Sequence, residues 1–208
     1  MESFFENWVA QEEDLLASLL AVPRDRVDLH LPLISRALEH YHSYYLAKSR
    51  LADRDVFLVF SPSWLTPFER NFMWIAGVNP ALIFQFVPAD LSPEQRREVE
   101  ELRREAEAVE REMTAVMARV QESVVSLLAL EMLHGGLRNG EARAEAAAEV
   151  EDALRGILGE ADGLRVRIVA RIVEILESYQ AVEFLANAAN CHIRIRRWGI
   201  RQNGLREG

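Results

Sequence analysis

Two short motifs in the sequence pair a glutamate with a histidine three positions later, a spacing that places both side chains on one face of a helix. They are Glu39-x-x-His42 and Glu131-x-x-His134. Helical bundles that bind two iron or manganese ions take such a motif from each of two helices and further glutamates from the others. The sequence offers these as further ligands: Glu12, Glu13, Glu174, Glu177 and Glu183. A di-metal carboxylate site is therefore one interpretation, although chance alone also accounts for both motifs in a chain this rich in glutamate.

A second candidate for chemistry is a cluster of arginines near the end of the chain. Residues 191–198 read Cys-His-Ile-Arg-Ile-Arg-Arg-Trp, in a protein whose formal charge is −9. Arginines beside Trp198 could bind a phosphate, a haem propionate or an acidic partner. The alternative is that cations near a helix C-terminus are favoured by the helix dipole and stay solvated.

Several other classes of function are disfavoured by what the sequence lacks. It contains no P-loop, no GxGxxG, no GxSxG and no HExxH motif. Its one cysteine, Cys191, excludes an internal disulfide and a cysteine-rich zinc site and favours a reducing compartment. No run approaches the ~20 apolar residues that span a bilayer. We therefore expect a protein without enzymatic activity that neither enters a membrane nor is secreted.

The elements that must position these residues are helices. Apolar residues recur at helical spacing over residues 2–20, 29–60 and 163–198, and an Ala/Glu-rich stretch covers 141–158. Pro32 is expected near the first turn of the second helix, where its missing N–H costs nothing. No stretch alternates with the period of two that marks a strand. The sequence predicts an all-α protein.

Shorter helices are predicted where a capping residue precedes a proline. These starts are Thr66-Pro67, Asn79-Pro80 and Ser92-Pro93. Glu69 and Gln95 complete capping boxes at the first and third starts. Gly77, between the first two, is expected to end a helix.

From Val99 to Val120 the apolar positions alternate three and four residues apart, and the pattern continues to Leu127 and Leu130, which makes a heptad seam. The seam predicts a helix of about 40 residues that lies in a long internal bundle or in a homodimer. Glycines after His134 end the pattern, and residues 135–143 are predicted to form a flexible connection. No boundary divides the chain, so we expect residues 1–208 to form a single helical bundle.

Landmark residues follow one another in a set order: Phe5-x-x-Trp8, His40-Tyr41-x-x-Tyr44-Tyr45-x-x-Lys48, Ser61-Pro62-x-Trp64-x-Thr66-Pro67-x-Glu69, Trp74-Ile75-x-Gly77-x-x-Pro80, Ala161-Asp162-x-Leu164-Arg165, Gln180-Ala181-x-Glu183-Phe184-Leu185 and Trp198-Gly199. The set resembles the plant delay-of-germination domain, also called the seed dormancy control domain, which forms the C-terminal part of TGA-type bZIP transcription factors. The resemblance covers residues 3–200 and includes all four tryptophans. The signature residues are Trp8, Trp64, Thr66, Glu69, Trp74, Gly77, Pro80, Asp162, Arg165, Gln180 and Trp198.

The resemblance implies a non-enzymatic regulator of abscisic acid signalling, seed dormancy or stress responses, in the nucleus and cytoplasm. Expected partners are type 2C protein phosphatases, transcriptional coregulators or TGA-type factors. A role in pollen aperture formation is another branch of the family. Because the chain begins at the domain itself, we expect no basic zipper and no direct nucleic acid binding.

The resemblance also implies ligands, and with them an alternative function. Haem ligation in the family uses two histidines four residues apart in the last helix. His192 stands at the first of these positions and Arg196 at the second. TGA-type domains can also hold a fatty acyl chain between helices. The alternative is therefore a haem- or lipid-binding sensor built on the same bundle.

Overall fold

The computed structural model describes the backbone of residues 1–133 and 140–204, and the side chains of residues 1–126 and 144–204. The helices in these ranges are α1 (Glu2–Ala21), α2 (Val27–Ala52), α3 (Val56–Phe60), α4 (Pro67–Arg70), α5 (Pro80–Ile83), α6 (Pro93–Leu133), α7 (Gly140–Ile175) and α8 (Ser178–Gly204). Two short strands, β1 (Met73–Trp74) and β2 (Gly77–Val78), lie between α4 and α5. The predicted all-α class is confirmed.

The two longest helices, α6 and α7, pack against each other. The heptad seam of α6 supplies Val99, Ala106 and Met113 to the main core, where they join Ile168 and Ile172 of α7. The predicted long helix is present, with 41 residues. Its seam is covered from within the chain as far as the described side chains extend, which favours the internal-bundle alternative. A homodimer through another face stays a prediction.

The other main layer consists of α1, α2 and α8. The last helix contacts α1, α2 and α4, and α2 also contacts α1 and α3. A small aromatic core of Phe5, Trp8 and Trp64 lies where these elements meet. None of the helices in the described part of the chain has a stretch long and apolar enough to cross a lipid bilayer.

The single helix predicted over residues 29–60 was wrong, because the chain leaves the helix after Ala52 and starts α3 at Val56. Asp55 has an extended backbone, and its carboxylate accepts a hydrogen bond from the Leu58 amide at 3.2 Å. This N-cap starts a separate helix after the break. Pro32 lies inside α2 rather than in its first turn, since α2 already begins at Val27.

The predicted helix over residues 163–198 is also two helices. The Ala/Glu-rich stretch continues through residue 163 to the end of α7 at Ile175, and α8 begins at Ser178. The Gln180 side chain accepts a hydrogen bond from the Glu177 amide at 2.9 Å, which is half of a capping box for α8. That side chain stabilises a break that apolar periodicity does not reveal.

The sequence predicted that Gly77 ends a helix, and this prediction was wrong. Gly77 pairs with Trp74 in an antiparallel hairpin whose strands have two residues each, too short to show an alternating pattern. Residues 135–139 of the predicted flexible connection lie outside the described residues, whereas residues 140–143 already belong to α7. The single-domain organisation of residues 1–208 stays a prediction.

Candidate functional site

The guanidinium group of Arg165 on α7 is fully buried beneath the hairpin and binds its backbone. Its Nε donates a hydrogen bond to the Val78 carbonyl at 2.7 Å, and its Nη2 donates to the carbonyls of Trp74 and Ile75. Its Nη1 donates to the Asp162 carboxylate at 2.7 Å. A planar fork of five N–H donors suits several fixed acceptors at once. Arg165 therefore fastens the hairpin to α7.

Lys48 of α2 also binds the hairpin and shares the Asp162 carboxylate with Arg165. Its buried Nζ donates to the Ala76 carbonyl at 3.0 Å and to the Asp162 carboxylate at 2.6 Å. Burial lowers the pKa of Lys48 to about 8, against the opposing attraction of Asp162. A lysine with a lowered pKa can serve as a base or nucleophile, but these contacts hold the amine against the hairpin. We call Lys48, Asp162 and Arg165 the hairpin clamp.

The turn held by the hairpin clamp has an unfavourable backbone. Ile75 and Ala76 have φ angles of 40° and 53°, in the left-handed region that costs side-chain-bearing residues about 1–2 kcal/mol each. Gly77 is required for a different reason: a Cβ there would lie 2.6 Å from the Arg165 Cζ. The sequence signature at this turn therefore reflects close packing around a buried guanidinium group.

A second polar cluster joins α4 to α8. The predicted capping box is present, with the Thr66 amide donating to Glu69 at 2.7 Å and the Glu69 amide donating to the Thr66 hydroxyl at 3.2 Å. Arg196 of α8 donates to the Trp64 carbonyl at 3.2 Å and to Glu69 at 3.3 Å. A Cβ on Gly199 would lie 2.1 Å from the Thr66 hydroxyl oxygen. The glycine lets α8 approach α4 closely enough for the Arg196 contacts.

A third cluster centres on the fully buried carboxylate of Glu12 in α1. Tyr41 donates its hydroxyl to Glu12 at 3.0 Å, and His192 Nδ1 lies 2.5 Å from the other carboxylate oxygen. Burial lowers the pKa of His192, but the charge and hydrogen bond of Glu12 outweigh it and raise the pKa above its ordinary value. The imidazole ring meets Trp8 edge-on with a centroid distance of 5.6 Å. The pair therefore ties α1 to α8.

Gln180 organises the opposite end of the bundle. Its amide nitrogen donates to the Asp90 carbonyl, and its amide oxygen accepts from Gln95, each at 2.9 Å. Gln95 also donates to the Ile175 carbonyl at 2.9 Å. These contacts connect the start of α6 with the junction between α7 and α8.

Most of the remaining signature residues also lie within the packed structure. Trp8 donates its indole N–H to the His40 carbonyl and Trp74 to the Thr114 hydroxyl, each at 2.9 Å. Pro80 is the buried first residue of α5. Trp198 differs, because 46% of it is exposed on α8.

The structure brings His192 and Arg196 together on α8 but does not fit a two-histidine haem site. The Arg196 guanidinium has no lone pair to offer an iron atom and is hydrogen-bonded to Glu69. The Nδ1 atom of His192 is bound to Glu12. Haem ligation by His192 alone stays a prediction, as does a fatty acyl ligand.

The structure describes only one of the two Glu-x-x-His motifs of the predicted di-metal site. Glu39 and His42 are exposed on α2, and Glu39 accepts a hydrogen bond from Ser35. Glu131 and His134 lie outside the described side chains. Among the residues that are described, no three His, Cys, Asp or Glu side chains come close enough to hold a metal ion.

Lys48 was missed as a site residue and Glu12 was named only as a possible metal ligand, although the sequence carried a signal for the buried position of both. Glu12 interrupts the apolar stripe that Trp8 and Leu15 form on α1, and Lys48 follows Tyr44 and Tyr45 on the aromatic stripe of α2. A charged residue at a buried helical position requires a partner. That requirement predicts a buried ion pair but does not identify the partner.

Comparison with known proteins identifies the family to which the chain belongs. The family model described as seed dormancy control matches residues 11–89. Protein DOG1-like 4 of Arabidopsis thaliana is 31% identical over 216 residues, which cover 96% of this chain and 92% of that protein. The chain belongs to the seed dormancy control family.

Two further relatives outline the breadth of the seed dormancy control family. Protein RESPONSE TO ABA AND SALT 1 of Arabidopsis thaliana is 30% identical over 93% of this chain and 92% of its own length. Transcription factor TGA7 of the same plant is 26% identical over 88% of this chain but only 51% of its own length. The predicted resemblance to both kinds of protein is confirmed.

Proposed function

We propose that this protein is a non-enzymatic regulator of seed dormancy or of abscisic acid and salt responses, and that it acts by binding other proteins. The observation that carries this proposal is the 31% identity to Protein DOG1-like 4 over 96% of the chain. A second relative is named for its response to abscisic acid and salt. Similarity along the whole chain supports transfer of a general role better than a local motif does.

The polar clusters support a binding role over a catalytic one. The hairpin clamp, the Glu69–Arg196 pair and the Glu12–His192 pair each connect separate elements of the bundle. Their charged groups face one another or backbone carbonyls. By contrast, α8 presents exposed arginines and an exposed tryptophan to the surroundings.

The proposal also covers the binding partners of the protein and its location in the cell. Type 2C protein phosphatases, coregulators and TGA-type factors are the proposed partners, in the nucleus and cytoplasm. Similarity to TGA7 supports membership in a network of transcriptional regulators. A homodimer belongs to the same proposal.

A loss-of-function line of the source plant tests the role. We expect a changed germination response of its seeds to abscisic acid or salt, restored by the wild-type chain. Unchanged germination under both treatments contradicts the proposal. A defect confined to pollen apertures would instead assign the chain to the pollen branch.

Purification of the native protein tests the mode of action. A type 2C phosphatase or a TGA-type factor that copurifies at constant ratio supports regulation through protein contacts. A stoichiometric haem or fatty acid, found by mass spectrometry without a protein partner, supports the sensor alternative instead.

A further inference from the structure

The outward side of α8 carries a positively charged surface on an acidic protein. Arg194, Trp198 and Arg201 are spaced so that they follow one side of the helix. From residue 187 to residue 204 the sequence contains no Asp or Glu, although the whole chain has a formal charge of −9. We call Arg194, Trp198 and Arg201 the arginine face.

A groove of about 730 Å³ runs along this surface. Its lining combines the arginine face with apolar groups, including Phe68 of α4 and Ile195 of α8. The Phe68 and Trp198 rings are tilted against each other with centroids 6.1 Å apart. The lining of the groove therefore combines apolar and aromatic groups with arginine side chains.

The cations at this groove are available to a partner. Arg194 and Arg201 form no salt bridge with any residue in the described ranges. Arg197 does pair with Glu13 at 2.9 Å, but their side chains are 62% and 44% exposed. Such solvated pairs contribute little to stability and exchange readily for another carboxylate.

We propose that the arginine face binds an acidic segment of a partner protein, with an apolar or aromatic side chain of that segment against Phe68 and Trp198. Charge complementarity selects the acidic segment, because guanidinium groups bind carboxylates through paired hydrogen bonds. The apolar and aromatic groups of the lining favour a peptide over a free phosphate, which would leave them uncovered. The inference rests on the proposed function, since it identifies the surface that protein binding would use.

The test starts from displayed random peptides selected against the full chain. We expect enriched peptides to combine several Asp or Glu residues with an aromatic or large aliphatic residue. Fluorescence anisotropy of a labelled enriched peptide then compares the wild type with R194E/R201E. We expect the double variant to lower the affinity about tenfold or more and Trp198→Ala to lower it severalfold.

The matched control is R50E/R54E, which makes the same change in net charge at exposed arginines elsewhere on the surface. We expect its affinity to stay within about twofold of the wild type. The inference is wrong if no peptide is enriched, if enriched peptides lack acidic residues, or if both double variants lose affinity equally. Circular dichroism of each variant confirms that it is folded.

These outcomes are separate from the fate of the proposed function. Normal germination in a loss-of-function line would contradict the function and leave the peptide measurements unaffected. Peptides that bind R194E/R201E as well as the wild type would overturn this inference alone.

Discussion

The hairpin clamp and the arginine face use the same cationic side chain in opposite ways. Arg165 has no exposed side-chain surface and binds three backbone carbonyls and Asp162. Arg194 and Arg201 are exposed on α8 and have no acidic partner among the described residues. Residue type alone therefore does not separate a structural arginine from one that is free to bind a partner; burial and the available acceptors do.

The energetic difference follows from solvation. Removing one member of a buried ion cluster leaves an uncompensated charge and unpaired carbonyls, which costs about 3–5 kcal/mol. An exposed arginine stays hydrated whether or not a partner is present, so its removal changes folding little. Substitutions in the two regions should therefore separate stability from binding.

The largest effect is expected for Arg165→Ala. The variant removes the guanidinium donor from the carbonyls of Trp74, Ile75 and Val78 and should lower the free energy of unfolding by about 3–5 kcal/mol in urea titrations. Arg167→Ala, at an exposed position on the same helix, should change it by no more than about 0.5 kcal/mol. Similar losses in the two variants would mean that the clamp does not stabilise the fold.

Glycine substitutions test how closely the hairpin packs on the clamp. Gly77→Ala places a methyl group 2.6 Å from the Arg165 Cζ and should cost about 1–3 kcal/mol of unfolding free energy. Gly156→Ala, where the added carbon meets nothing within 4 Å in α7, should instead stabilise the protein by about 0.5–1 kcal/mol. Thermal denaturation of the two variants checks the opposite signs.

Two buried pairs should give opposite pH dependences. The pKa of Lys48 is lowered from 10.5 to about 8, so between these values the unfolded chain binds more protons and the folded state gains stability as pH rises. The unfolding free energy of the wild type relative to Lys48→Met should therefore increase from pH 8 towards pH 10.5. A flat difference would mean that folding leaves the pKa of the amine unchanged.

His192 supplies the contrasting arm of the same experiment. Its pKa is raised in the folded state because Glu12 outweighs the effect of burial. Its contribution is complete below the ordinary histidine value of about 6.5 and is lost as pH rises through the folded pKa. The wild type should lose its advantage over His192→Gln as pH rises, and an advantage that grows would contradict the ion pair.

The smallest effect on stability is expected at the arginine face. Arg194→Ala and Arg201→Ala should each change the free energy of unfolding by less than about 0.5 kcal/mol in urea titrations. A loss approaching that of Arg165→Ala would show that these arginines support the fold, and the contrast between the two regions would disappear.

The parts of the fold that depend on local chemistry were predictable. The helix starts at Pro67, Pro80 and Pro93 appear where cap and proline indicated them, because capping involves neighbouring residues only. The seam of α6 was likewise visible in its spacing. The breaks after Ala52 and Ile175 were not, since apolar periodicity continues across both.

The site depended on contacts between distant residues, which periodicity cannot supply. Asp162 and Arg165 lie three residues apart on one helix, so their ion pair depends on local sequence only. The carbonyls that Arg165 binds are about 90 residues away in sequence, in a hairpin too short to leave a pattern. The resemblance to a known family identified these residues as signature positions without indicating what they contact.

The proposed arginine face makes α8 a protein-binding surface that the fold does not need. The most direct measurement determines two quantities for R194E/R201E and R50E/R54E: affinity for a selected acidic peptide and free energy of unfolding. We predict that only the first variant loses affinity, by about tenfold or more, while both keep the wild-type unfolding free energy within about 1 kcal/mol. Undiminished affinity in R194E/R201E, or a loss of affinity explained by unfolding, would contradict the claim.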